Sequence, residues 1–102
     1  MDEHTLPTKF DRIIHQPSRL AIMAVLSGCE SADFMYLLGA TKLTKGTLSK
    51  HLSSLLEAGY ITITKSFKGK YPNTEVALTS DGRRAFKKYR KQYRDFLNSL
   101  TE

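Results

Sequence analysis

Between Thr44 and Leu78 the spacing of apolar residues changes abruptly, and that change narrows the possible folds more than any other feature of the chain. Leu48, Leu52, Leu55 and Leu56 fall at i, i+4, i+7 and i+8, one face of a helix that Thr44 can cap and Gly59 can close. Just beyond Gly59 the period drops to two: Ile61 and Ile63 alternate with Thr62 and Thr64, and Val76 and Leu78 alternate with Glu75 and Ala77. Such alternation marks two half-buried strands of a hairpin. Ser66 to Asn73, containing Gly69, Pro72 and Asn73, reads as the loop between them, with Lys68 and Lys70 charging its tip.

The flanking segments read as helices. Phe10, Ile13 and Ile14 share i, i+3, i+4 spacing and predict a short first helix that stops near His15, because Pro17 disfavours helical geometry at Gln16. Pro17 suits the opening of a second helix over Ser18 to Ser27, apolar nearly all round from Leu20 to Leu26 as in a helix buried among others. Gly28 is expected to end it in a left-handed cap. Ser31 can cap a third helix, with Asp33 in its first turn, Phe34, Leu37 and Leu38 inside, and an end near Ala40. After Thr79 or Ser80 a last long helix runs to about Leu100.

With 102 residues and 40% hydrophobic content, the expectation is one compact domain with a modest core. Met1 to Leu6 carries Asp2 and Glu3 where a secretory signal would be basic and then apolar, and no apolar run reaches membrane-spanning length, so a soluble cytoplasmic protein is expected. Cys29 is the only cysteine, which excludes an internal disulfide and thiolate metal clusters and reads as a small buried apolar side chain. His4, His15 and His51 form no recognisable ligand motif. No metal or cofactor is expected, and the sequence leaves an effector ligand open. Nucleophile elbow, P-loop and paired-carboxylate patterns are missing as well, so catalysis is not expected.

The net charge of +6 is unevenly placed. Up to Thr41 the chain is mildly acidic, whereas Lys42 to Lys70 holds six lysines against Glu57 alone. Residues 80 to 95 hold a further seven Arg and Lys against Asp81 and Asp95. Localised positive charge of this kind suits nucleic acid or an anionic membrane surface. On the leucine-bearing helix, Gly46, Thr47, Lys50, Ser53 and Ser54 lie opposite the leucines or at their edges, mostly in the first half. Small side chains there allow close approach to a groove wall, hydroxyls suit base edges or phosphates, lysines suit phosphates, and the helix N-terminus presents free N–H groups. The loop that follows carries Lys65, Phe67, Lys68, Lys70 and Tyr71, more charge than a plain solvated turn requires.

At three stretches the chain resembles the winged-helix transcriptional regulators of the MarR and ArsR kind, in their small stand-alone form. They are Ile14-His15-Gln16-Pro17-Ser18-Arg19-Leu20, Leu43-Thr44-Lys45-Gly46-Thr47-Leu48-Ser49-Lys50-His51-Leu52, and Leu55-Leu56-Glu57-Ala58-Gly59-Tyr60-Ile61. The resemblance covers about residues 8 to 95. It implies an α+β fold, mainly α with a small hairpin: a winged helix-turn-helix with a three-helix core, a two-stranded wing and a long C-terminal helix. Residues 8–79 would be core and wing, and 80–100 a dimerisation helix. It implies a sequence-specific double-stranded DNA binder with recognition helix 44–58 in the major groove and wing 65–73 on backbone or minor groove. Thr44, Lys45, Thr47, Ser49, Lys50 and Ser53 would face DNA, with Gly46 and Lys65 beside them and Lys68 and Lys70 on the backbone, while Leu43, Leu48, Leu52 and Leu55 would be core. The family usually has glycine where this chain has Lys42, and its metal sensors use cysteine pairs or His/Asp sets that this chain lacks.

Other residues carry two readings. His51 sits at the border of the leucine face and either hydrogen-bonds within the domain, the favoured reading, or touches phosphate. Arg19 either pairs with Asp11 or Glu30 or contacts phosphate. The basic residues of the last helix read as a solvated face that adds long-range attraction for DNA. Phe86, Tyr89, Tyr93, Phe96 and Leu100, widened by Leu97, form a heptad-like seam that a second copy would cover together with Phe10, Ile13 and Ile14, although part could instead pack on those three within one chain. A homodimer on an inverted repeat follows from that seam. The competing class is a winged-helix module for protein or RNA interaction, and a basic last helix lying on a membrane is the third.

Overall fold

The computed structural model describes residues 9–100. The acidic amino-terminal residues, His4 and the expected residue-8 boundary lie outside them. The described order is α1 (Pro17–Ser27), β1 (Ala32–Asp33), α2 (Phe34–Thr41), α3 (Lys45–Glu57), β2 (Ile61–Lys68), β3 (Tyr71–Leu78) and α4 (Ser80–Ser99). Ile22, Met23, Leu26, Leu37, Leu48, Leu55, Ile61 and Val76 form the buried centre on which these elements meet.

The expected first helix is only a turn. Asp11 Oδ1 accepts the N–H groups of Ile13 and Ile14 at 2.8 and 3.2 Å, and the His15 N–H closes a single helical turn on the Asp11 carbonyl at 2.7 Å. The side chain that satisfies the first free donors also anchors the turn, because Tyr60 donates its hydroxyl to Asp11 Oδ2 at 2.5 Å. With Pro17 opening α1 and Gln16 capping it through a 2.9 Å bond to the Arg19 N–H, no residues remain to extend the turn.

Two caps differ from expectation. Gly28 closes α1 at φ −95°, outside the left-handed region, its N–H reaching the Val25 carbonyl at 3.1 Å. The cap of α2 is Asp33 and not Ser31: Ala32 and Asp33 are extended because they pair with Val76 and Glu75, and Ser31 instead donates to Glu75 at 2.6 Å. Strand pairing thus moves the helix start downstream and makes the sheet three-stranded, in the order β1-β3-β2. Between α2 and α3 Lys42 takes the left-handed conformation, φ 58° and ψ 26°. This is where glycine is usual, and Lys42 tolerates it at the steric cost of its Cβ.

Thr44 caps α3 by accepting the Thr47 N–H at 3.2 Å. At the other end Gly59, φ 81°, makes a Schellman closure: the Tyr60 N–H reaches the Leu55 carbonyl and the Gly59 N–H the Leu56 carbonyl, both at 3.0 Å. The chain leaves this cap directly into β2.

The hairpin is longer and its loop shorter than the sequence suggests. Pairing continues to Lys68 opposite Tyr71, leaving Gly69 and Lys70 as a two-residue turn with Gly69 at φ 65°. Antiparallel pairs alternate between hydrogen-bonded and open, so the Phe67–Pro72 pair next to the closing pair is an open one. The missing proline N–H costs nothing there, which explains why Pro72 can sit inside a strand.

Thr79 caps α4 by accepting the Gly82 N–H at 2.9 Å, while its hydroxyl donates to the Gly59 carbonyl at 2.7 Å and its N–H to the Tyr60 carbonyl at 3.0 Å. Gly82 is buried against the same strand start: a Cβ there would stand 2.1 Å from the Tyr60 oxygen. Glycine is needed for this close approach.

Candidate nucleic-acid interface

The buried stripe of α3 is Leu48, His51, Leu52 and Leu55, and Leu56, expected on that face, is nearly half exposed at 46%. At 100° per residue His51 and Leu56 flank the Leu48, Leu52 and Leu55 stripe on opposite sides, each about 40° beyond its nearest leucine, and the core claims the His51 side. Arg19 Nε donates to His51 Nδ1 at 3.1 Å and Arg19 Nη1 to the Ile13 carbonyl at 3.3 Å. Arg19 therefore braces α3 against α1 and the amino-terminal turn, in place of the acidic partners Asp11 and Glu30. Burial first, then the positive charges of Arg19 and Lys50, hold the His51 pKa below 6.5 and keep Nδ1 an acceptor.

With that stripe turned inward, Thr44, Lys45, Gly46, Thr47, Ser49, Lys50 and Ser53 are all exposed. Thr44 and Thr47 share a 2.9 Å hydroxyl bond at the cap, and Ser54 donates back to the Lys50 carbonyl at 3.3 Å. Ser49 and Ser53 border a cleft of about 360 Å³ whose other wall is the inner face of the hairpin, through Ile63, Lys65 and Thr74. The structure thus brings Lys65 beside the polar face of α3. Lys68 and Lys70, also exposed, lie at the hairpin tip. Lys68 is five residues beyond Ile63, roughly 17 Å along the strand.

The expected dimer residues separate into two groups. Ile14, Phe86 and Tyr89 are buried within one chain and cannot also form an open face. Their cover is the alternative left open by the sequence: Phe10 stacks on His15 at 4.7 Å and meets Tyr89, Tyr93 and Phe96 at 5.8, 6.0 and 5.9 Å, and Ile13 packs on the same core. His15 Nδ1 and the Tyr89 hydroxyl share a 2.8 Å hydrogen bond, and burial raises the Tyr89 pKa. Leu97 and Leu100 remain exposed, at 46% and 55%.

On the other side of α4, Arg84 pairs with Asp81, and Lys91 with Asp95 at 3.0 Å, both exposed and worth little to stability. Arg83 Nη2 donates to the Cys29 carbonyl at 3.0 Å, just beyond the C-terminus of α1. Cys29 is half-buried, with its thiol on the Val25 carbonyl at 3.5 Å. Among the described residues no group of His, Cys, Asp or Glu could hold a metal ion, and no helix is long and apolar enough to cross a membrane. Nothing in the sequence pointed to the Asp11–Tyr60 and Arg19–His51 links, except that His51 stands three residues after Leu48, at the border of the apolar stripe.

A helix-turn-helix whose second helix turns an apolar stripe inward and a polar face outward, followed by a charged hairpin, defines a winged helix. The family profile described as winged helix DNA-binding domain matches residues 18–97, and the chain belongs to that family. An uncharacterised protein of Methanocaldococcus jannaschii is 39% identical over 79 residues, 76% of this chain and 85% of that protein. Among solved structures, a transcriptional regulator homologue from Pyrococcus horikoshii superposes with a TM-score of 0.85 at 26% identity, over 90% of this chain and 91% of that one. A MarR family transcriptional regulator from Silicibacter pomeroyi shares the fold with a TM-score of 0.68 at 21% identity, over 85% of this chain and 57% of that one.

Proposed function

We propose that this protein is a sequence-specific double-stranded DNA-binding transcriptional regulator, a single cytoplasmic winged-helix domain without enzymatic activity. The observation that carries the reading is the unbroken exposed face of Thr44, Lys45, Gly46, Thr47, Ser49, Lys50 and Ser53, walled on one side by Lys65 of the wing. Hydroxyls and a glycine at the front of α3 let the helix end approach base edges in the major groove while Lys45 and Lys50 meet phosphates. The N-terminus of α3 adds backbone donors and its dipole. Lys68 and Lys70, at the hairpin tip, hold the flanking backbone or minor groove. The protein acts as a homodimer on an inverted repeat, with the exposed Leu97 and Leu100 and the edges of Tyr93 and Phe96 as contact surface. Two-fold pairing places the recognition helices about one DNA turn, roughly 34 Å, apart.

The test is duplex binding by anisotropy across a salt series, using duplexes selected from random sequence by the purified protein. Log affinity should fall with log salt by about 0.9 per phosphate contacted, and Lys68→Ala with Lys70→Ala should reduce that slope by about one per lost contact for all duplexes alike. Ser49→Ala should change sequence preference, and Lys50→Ala should alter affinity or preference. A salt-independent response, or equal affinity for random and selected duplexes, refutes the reading.

A further inference from the structure

The wing tip carries two large aromatic side chains with no role in the fold. Phe67 and Tyr71 are each 73% exposed, more than any other large hydrophobic residue among those described. The hairpin register assigns them to opposite faces. Phe67 lies opposite Pro72, on the face that continues inward through Lys65 and Thr74 to the half-buried Ile63 and the buried Val76. This is the face that forms the cleft with Ser49 and Ser53 of α3. Tyr71 lies opposite Lys68, on the face turned away.

The Phe67–Pro72 pair is open, and open pairs bring Cα atoms to about 4.5 Å, so the proline stands directly across the hairpin from the phenylalanine. The two-residue turn at Gly69 makes the tip as narrow as a hairpin can be, two strands about 4.8 Å apart. From Thr62 to Thr74 there is no acidic residue; Lys65 shares the face of the ring, and Lys68 and Lys70 stand next to it in the chain at the tip. An exposed phenyl group within a polycationic tip, on the side of the hairpin that faces the polar surface of α3, has the chemistry of a side chain pushed between base steps while neighbouring cations hold the phosphates.

We infer that Phe67, backed by Pro72, enters the minor groove of the bound duplex as an apolar wedge that partly unstacks one base step and bends the DNA. The wing then contributes to sequence choice through deformability, favouring flexible pyrimidine–purine steps under the tip, as well as through lysine contacts with phosphate. This inference rests on the duplex-binding reading above.

The experiment uses the full chain and a duplex selected from random sequence, carrying fluorophores at its ends and 2-aminopurine at successive positions beside the half-site. The unmodified protein should shorten the end-to-end distance and raise 2-aminopurine emission at one step. Phe67→Ala should abolish both and weaken binding roughly tenfold, in line with base–aromatic contacts, with the salt slope unchanged. Phe67→Leu should keep the bend, and Tyr71→Ala, on the opposite face, should leave it intact. The ring is exposed, so the variants should melt like the parent protein. If Phe67→Ala binds and bends as the parent does, or lowers the salt slope instead, the wedge is refuted and duplex binding stands. If the parent protein itself shows no salt-dependent duplex binding, the functional reading fails and the wedge with it.

Discussion

Replacing Gly82 by alanine should destabilise the protein, although glycine-to-alanine inside a helix usually does the reverse. The added Cβ would lie 2.1 Å from the Tyr60 carbonyl oxygen and 2.9 Å from its carbon. Ordinary contact requires more than 3 Å, so the start of α4 or the Tyr60 backbone must move by about 1 Å. Neither is free to do so. The Tyr60 oxygen accepts the Thr79 N–H at 3.0 Å, Thr79 caps α4 on Gly82 itself, and the Tyr60 hydroxyl is bound to Asp11. Overpacking of this kind costs about 1–3 kcal/mol, and the loss of a cap bond adds about 1 kcal/mol. The gain in helix propensity, at most about 1 kcal/mol, is smaller. A net loss of roughly 2 kcal/mol lowers Tm by about 8–16 °C in a domain of this size. Gly39→Ala in α2, where nothing lies within 4 Å of the new Cβ, is the matched comparison and should gain about 0.5–1 kcal/mol. Both are read from thermal melts followed by far-UV circular dichroism. A Gly82→Ala protein that melts at or above the parent temperature would refute the proposed close approach of α4 to Tyr60.

Lys42→Gly should raise stability by up to about 1 kcal/mol in denaturant titration, because Lys42 holds φ 58° with a Cβ that glycine lacks. His51, whose pKa is lowered mainly by burial, contributes stability that is fully present above its unfolded value of 6.5 and is lost as pH falls below it. Melting temperatures from pH 8 to pH 5 should therefore drop more for the parent than for His51→Gln, which retains an acceptor for Arg19; parallel curves would count against the assignment. Leu97→Glu with Leu100→Glu should give monomers in light scattering and lose tight binding to an inverted repeat while retaining weak binding to one half-site. These two exposed positions test assembly more cleanly than Tyr93, which packs on Phe10, His15, Tyr89 and Phe96 within its own chain.

The helices α1 to α4 and the hairpin were legible because each is governed by a local period or cap: the leucine spacing and Thr44 for α3, the alternation at Ile61–Ile63 and Val76–Leu78 for the strands, Thr79 for α4. The failures lie where a distant partner decides. Ala32 and Asp33 are extended only because β3 offers them an edge. Phe10, Ile13 and Ile14 have helical spacing, yet five residues between Asp11 and Pro17 hold only one turn, fixed by Tyr60 from the far side of the chain. Leu56 looks like core by type, but it falls on the edge of the stripe that the core leaves open, while His51 on the opposite edge is buried and held by Arg19. The same limit applies to the α4 seam, where spacing identified Phe86, Tyr89 and Tyr93 as apolar but not whether their cover was a second copy or Phe10. For the exposed face of α3 the sequence was a better guide to which residues are exposed, because exposure there follows directly from which side of α3 the core claims.

The packing around Tyr60 joins these features into one mechanical unit. Its N–H closes the Schellman turn of α3, its carbonyl holds Thr79 and abuts Gly82 of α4, and its hydroxyl is bound to Asp11 of the turn that covers the aromatic side of α4. Burial and the hydrogen bond to Asp11 push the Tyr60 pKa up to about 12, so the hydroxyl remains a donor at neutral pH. Arg19 braces the opposite side of α3 through His51. The C-terminus of α3 and the N-terminus of α4 are thereby set against one another by backbone contacts, which shift far less than side chains do. In a dimer formed through the far end of α4, the separation of the two recognition helices would depend on the angle between α3 and α4. That angle is fixed at Gly59, Tyr60, Thr79 and Gly82. Substitutions at these four residues, none of them on the recognition face, would therefore act on the spacing of half-sites and not on the bases read within each.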